Sequence, residues 1–330
     1  MLTGIYVFNP SLNFEELFKN CVKWGIHWIV TPAYIFQKES FQQIKKKFDI
    51  KICAIFAVYN NQDYLEKNPA DYCITSNGEK AKNEQPWLHF ACPSSQIYFE
   101  NRKKELYELV KTQPPEMIAL DFIRFYVFWE KVYPDTKFMN IEDGCYCERC
   151  LTNFESILKQ PLGERTAVWI KNNVLQQWTE WKCNVIEDTV KVLTEIIRNK
   201  QKDLPIMMKT IPWLSKSFAG AIRSVGGQDL NRVSKYVDYL CPMTYNFMTK
   251  HPSKSINEVT SELKKISQKI IIPCIQVNKT YLSEEISNEK FDEMLKFGLQ
   301  APSDGIILFL YETLKDDVEK QEILKQRIIS

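Results

Sequence analysis

The 330-residue chain is 45% hydrophobic and 13% aromatic, enough to bury a sizeable core and unlike a disordered or fibrous protein. Its 43 Lys and Arg against 41 Asp and Glu leave a net charge of +2, too weak a field to indicate nucleic acid or an anionic membrane as the main partner. The opening MLTGIYVFNP lacks the charged flank and cleavage site of a secretory signal, and no run reaches the roughly 18 apolar residues of a membrane span, so a soluble cytoplasmic protein is expected.

Eight apolar runs are expected as strands: Gly4–Phe8, Trp28–Tyr34, Ile52–Tyr59, Met117–Phe125, Ile206–Trp213, Val237–Tyr245, Ile270–Val277 and Gly305–Tyr311. They are near-continuous instead of alternating, as in parallel strands covered on both faces. Helical spacing fills the gaps, with Phe14, Leu17, Phe18, Cys21 and Trp24 after the first run and Ile256, Val259, Leu263 and Ile266 after the sixth. The longest helical stretch, Thr166 to Arg198, predicts one face bearing Trp178, Trp181, Val185, Val192 and Ile196. Eight alternations over this length predict a single α/β domain over residues 1–330, a (β/α)8 TIM barrel. An open doubly wound sheet is the alternative, but G-x-G-x-x-G and G-x-x-x-x-G-K-[ST] are both missing. Enlarged loops follow the third strand (Asn60–Pro93) and the fourth (Tyr126–Leu162), on the face where barrel active sites lie.

Of ten cysteines, Cys145, Cys147 and Cys150 form a C-x-C-x-x-C array. Three thiolates at that spacing can converge on one tetrahedral ion, and zinc suits a sulfur-rich site. Cys92, in the preceding enlarged loop, is the expected fourth ligand, with Cys73 and then His89 as substitutes. Four sulfurs leave no open coordination position, so the zinc is expected to be structural. His27, His89 and His251 are too scattered for H-x-H or H-E-x-x-H, which argues against a catalytic metal hydrolase.

The fourth run carries Asp121 and Arg124 inside an apolar stretch. At the C-terminal end of a barrel strand, Asp121 would face the mouth, with Arg124 placed to lower its pKa or to bind an anionic or hydroxylated ligand. Cleaving a glycoside needs two carboxyl groups. Candidates for the second are Asp229, which also reads as a helix N-cap, and Glu312 after the last strand, with Glu130, Glu142 and Asp143 as further choices. Trp129, Trp213 and Tyr245 follow strands and could stack on sugar rings, while Asn9, Lys209 and Gln276 could take hydroxyls.

These motifs resemble two related groups of barrel enzymes. His89 to Ser95, HFACPSS, followed by Cys145 to Cys150 and Phe154, is similar to the four-cysteine zinc site of the thermophilic-type β-galactosidases, which supports Cys92 as the fourth ligand. Asn77-Gly78-Glu79, Cys92-Pro93, Leu120 to Phe125, Gly227-Gln228-Asp229 and Asp238 to Tyr245, in that order, resemble glycosyl hydrolase-like bacterial barrels. The resemblance implies a (β/α)8 glycosidase with Asp121 at the catalytic end of the fourth strand. The β-galactosidases use glutamates after strands four and seven, where this chain has Asp121 and Gln276. A cytoplasmic glycoside hydrolase acting on an oligosaccharide or glycoconjugate is therefore expected, self-association being left open. A carbohydrate-binding barrel without turnover is the alternative.

Overall fold

The computed structural model describes residues 1–82 and 85–329. Among the described residues nine parallel strands form one sheet: β1 (Leu2–Tyr6), β2 (Trp28–Pro32), β3 (Lys51–Ala57), β4 (Met117–Asp121), β5 (Ile206–Thr210), β6 (Tyr239–Pro242), β7 (Ile270–Ile271), β8 (Cys274–Gln276) and β9 (Gly305–Phe309). Their order is β7-β6-β5-β4-β3-β2-β1-β9-β8. The two ends of that order are neighbours in the chain, separated only by Ile272 and Pro273. Ile272 N–H donates to the Leu240 carbonyl of β6 at 3.0 Å, and the Pro273 carbonyl accepts from Ile307 of β9 at 3.0 Å. The sheet thus curls until its edges meet at one segment, consistent with a TIM-like barrel.

The expected seventh strand, Ile270–Val277, is divided into β7 and β8. Pro273 has no N–H to give the ladder, so pairing lapses there. Each of the other expected strands extends two to four residues beyond the observed C-terminal end. Their apolar runs outlast the ladder because the chain leaving each strand packs more apolar and aromatic side chains over the sheet: Ile123 and Phe125 after β4, and Ile211 and Trp213 after β5, are all buried. Asp121 is consequently the last residue of β4, while Arg124 lies in the loop beyond it.

The stretch Thr166–Arg198 is two helices, Ala167–Asn173 and Leu175–Lys200, parted at Val174, whose φ of −136° is not helical. In the longer helix the buried face carries Trp178, Trp181, Lys182, Ile186, Val190, Leu193 and Ile197, with Val185, Val192 and Ile196 half-buried at its edge. The expected stripe is displaced because the core face includes a lysine, which an apolar pattern passes over.

The two enlarged loops run side by side. Ser76 N–H donates to the Asp143 carbonyl at 2.7 Å and Tyr146 N–H to the Ile74 carbonyl at 2.8 Å. Their approach requires Gly144, where a Cβ would collide with the Cys73 sulfur. A buried ion triad fastens the second loop to both helices: Asp143 meets Lys171 Nζ at 2.8 Å and Lys182 Nζ at 2.9 Å, and the Tyr146 hydroxyl donates to the same carboxylate at 3.1 Å. With its oxygens engaged by two cations and a hydroxyl, Asp143 is a structural counter-ion.

Candidate active site

Asp121 ends β4 and is buried, 8% exposed. The next residue, Phe122, takes a left-handed φ of 50°, unusual for a bulky side chain. Its N–H donates to Asp121 Oδ1 at 2.7 Å. Burial pushes the Asp121 carboxyl up, against the opposing pull of Lys209, the Phe122 amide and Arg124. The expectation that Arg124 sets a low pKa here is corrected: desolvation outweighs the neighbouring cations.

Lys209 projects from β5 and is buried, its Nζ 3.1 Å from Cys241 Sγ and 4.5 Å from the centre of the Tyr6 ring. Arg124 lies over Phe90 at 4.9 Å and Phe122 at 5.6 Å. Among the described residues its one hydrogen bond is a long 3.5 Å contact to the Phe125 carbonyl, and Nε has no partner there.

Glu130 follows in the same loop, 6% exposed. Oε1 accepts from the Tyr281 hydroxyl at 3.2 Å, and Oε2 is buried without a partner. Burial pushes its carboxyl up to about 7; Arg124 opposes this, and the charge of Asp121 adds to it. Arg124 and Asp121 therefore act electrostatically on Glu130, and the three form one coupled group. In sequence Glu130 was one acid among several in a long loop. Only burial and the fold place it beside Asp121.

Asp229 and Glu312 are each engaged elsewhere. Asp229 caps the short helix Leu230–Val233 and pairs with Arg223 at 3.0 Å and Arg232 at 3.3 Å, in a network with Glu180 of the long helix. The preceding Gly227 has a φ of 70°. Gln228 accepts from Ile211 N–H at 3.0 Å and donates to the carbonyls of Ile123 and Lys209, so this motif binds the ends of strands together. Glu312 Oε1 accepts from the N–H groups of Phe8 at 2.8 Å and Asn9 at 2.7 Å, fastening the loop after β1. Glu142 accepts from Asn77 Nδ2 at 3.1 Å.

Trp129 is fully buried and stacks on Tyr245 at 5.7 Å, which in turn lies 4.7 Å from Phe309. The Trp129 Nε1 has no partner. Trp213, Tyr245 and Asn246 line a separate small cavity of about 60 Å³ between the segments after β5 and β6. Gln276 is engaged on both sides, accepting from Met248 N–H at 2.8 Å and donating to Ser283 at 3.2 Å. Asn9 is exposed and accepts from Ser11 N–H.

The sulfurs of Cys92, Cys145, Cys147 and Cys150 all lie within 4.8 Å of one another. Cys92 Sγ is 3.5 Å from both Cys147 and Cys150. Cys147 caps the helix Glu148–Leu158 and Cys150 sits in its first turn, which turns their thiols to one side. Ile74 N–H donates to Cys145 Sγ at 3.4 Å, and Ser94 Oγ lies 3.4 Å from Cys150 Sγ. Hydrogen bonds from the thiols of Cys145, Cys150 and Cys92 hold Cys147 far below the ordinary thiol range. Four mutually close sulfurs in a buried, polar-lined nest fit a metal ion. Cys73 packs against this nest from outside, and His89 is engaged with the Tyr72 hydroxyl at 2.7 Å, so neither completes the set.

No protein-family profile and no curated protein sequence matches the chain. Solved structures do. The glycoside hydrolase domain of PgaB (BpsB) from Bordetella bronchiseptica is similar with a TM-score of 0.71 at 13% identity, over 98% of each chain. The β-galactosidase of the psychrophilic Marinomonas ef1 is similar with a TM-score of 0.72 at 9% identity, over 94% of this chain and 54% of that one. The β-galactosidase of Bacillus circulans sp. alkalophilus gives 0.67 at 12% identity, over 99% and 55%. The chain thus spans about half the length of those β-galactosidases and nearly all of the PgaB domain. At such identities the likeness is one of fold: this chain has the fold of known glycoside hydrolases.

Proposed function

We propose that this protein is a glycoside hydrolase in which Glu130 is the acid and Asp121 its anionic partner. The observation that supports it is two buried carboxyls in unlike surroundings, with Glu130 feeling the charge of Asp121. Two carboxyl groups whose environments differ can divide the acid and base roles between them.

Glu130, held up to about 7 by burial, keeps its proton in mildly acidic solution and gives it to the glycosidic oxygen as the bond to the anomeric carbon breaks. Asp121, with the Phe122 amide on one oxygen and the charge of Lys209 nearby, supplies the electron pair. It attacks the anomeric carbon or takes a proton from a water that does so. Tyr281 orients the acid, and Arg124 takes polar groups of the sugar. Asp229 and Glu312 receive no role in this scheme.

The four-cysteine nest is read as a structural zinc site held by Cys92, Cys145, Cys147 and Cys150. Four thiolates complete a tetrahedron, so the ion stabilises the loops that carry Glu130 and leaves the reaction to side chains. The fold is read as a single (β/α)8 domain with its third and fourth loops enlarged.

A panel of aryl glycosides and oligosaccharides tests the function. Turnover that falls by about 10² to 10⁴ in both Asp121→Asn and Glu130→Gln is expected. Unchanged turnover in either variant removes that residue from the mechanism. The binding-only alternative draws on the near-complete burial of both carboxyls, and it is favoured by a saccharide that binds and is never cleaved.

A further inference from the structure

Arg124 is out of balance with its surroundings. A buried guanidinium ordinarily meets a carboxylate through two short bonds, yet among the described residues Arg124, 3% exposed, has a single 3.5 Å contact to a carbonyl and an Nε with no partner. Each nearby acid has one oxygen engaged elsewhere, Asp121 Oδ1 by the Phe122 amide and Glu130 Oε1 by Tyr281, and Glu130 Oε2 has no partner among the described residues, Arg124 included. The rings of Phe90 and Phe122 hold the guanidinium in place and offer it no acceptor comparable to an oxyanion.

The charge count agrees. Arg124 and Lys209 supply two cations to the coupled group, and Asp121 supplies one anion. Below about pH 7, where Glu130 keeps its proton, one buried positive charge is left without a counter-ion in this group.

We propose that Arg124 binds an oxyanion carried by the saccharide, so that the substrate of this site is an acidic sugar bearing a carboxylate or a sulfate ester. This rests on the glycosidase reading for the identity of the ligand as a sugar. The planar fork of arginine fits either group through two parallel N–H bonds, and a bound oxyanion would satisfy the unpaired charge.

The test is calorimetric titration of the full-length protein with D-glucuronate, D-glucose 6-sulfate and D-glucose, repeated on Arg124→Gln and Arg124→Lys. At least one acid is expected to bind about tenfold to hundredfold more tightly than glucose, and which one does so separates carboxylate from sulfate. Arg124→Gln should remove the preference, and Arg124→Lys should keep part of it. The proposal is overturned if glucose binds as well as both acids, if none of the three binds, or if the preference survives Arg124→Gln. The wild-type comparison decides even if the glutamine variant does not fold. Turnover is read separately: cleavage of neutral glycosides with no preference for acids refutes this proposal alone, while tight binding of an acid whose glycosides are never cleaved refutes the hydrolase reading alone.

Discussion

Tyr281 donates its hydroxyl to one oxygen of Glu130 at 3.2 Å, and the other oxygen of that carboxyl is buried with no partner. The hydrogen bond favours the charged form of Glu130, whereas burial favours the neutral one and prevails. Activity that needs the protonated acid is therefore expected to fall as pH rises through about 7. Tyr281→Phe removes a contact that lowers the pKa, so the alkaline limb of the kcat profile should move to higher pH. A limb that stays in place or moves down would separate Tyr281 from the titration of the acid.

The same shift predicts a stability effect. Because the folded carboxyl titrates above its ordinary value of 4.5, its contribution is most favourable below that value and is lost as pH rises from 4.5 through about 7. Glu130→Gln cannot ionise, so it should be more stable than wild type at pH 8, by on the order of 3 kcal/mol, and gain little at pH 4. Urea denaturation at the two pH values measures this, and an equal effect at both would contradict the assigned shift.

Lys209 opposes the desolvation of Asp121. Replacing it by Met should raise the Asp121 pKa and shift the acidic limb of the kcat profile upward, since the anionic form of Asp121 is the working one above its pKa. A pH-rate profile of Lys209→Met with an unmoved acidic limb would show that Lys209 serves packing alone.

Metal analysis of protein purified without chelator is expected to find about one zinc per chain. Cys147→Ser should lose it and lower the melting temperature, because metal-binding energy is folding energy. Cys73→Ser should retain it, since Cys73 stands outside the four-sulfur nest. Zinc loss in the Cys73 variant would mean that the ligand set is wrong.

Asp143→Asn leaves Lys171 and Lys182 buried without their shared anion. A loss of about 3 to 5 kcal/mol is expected by chemical denaturation, with the enlarged loops loosened first and detected by faster amide exchange between residues 126 and 162. A change below 1 kcal/mol would show that the two lysines find other partners.

The eight apolar runs, their parallel character, the cysteine array and the placing of Asp121 at a strand end were all legible in the sequence, because each follows from local spacing or from the rule that a strand covered on both faces is apolar throughout. Described helices follow the same logic, none of them long and apolar enough to cross a membrane. What spacing cannot express is the partner of a charge. Asp229 and Glu312 follow strands and Asp121 ends one, yet Asp229 is taken up by Arg223 and Arg232 and Glu312 by two backbone amides. Glu130 had no motif; burial raises its carboxyl, and Tyr281, the side chain that opposes this by hydrogen bonding, is distant in sequence. The sequence by itself determined which segments are apolar and which thiols could converge. The tertiary structure alone decided which acids are desolvated and which are neutralised, because burial and pairing depend on contacts between segments far apart in the chain.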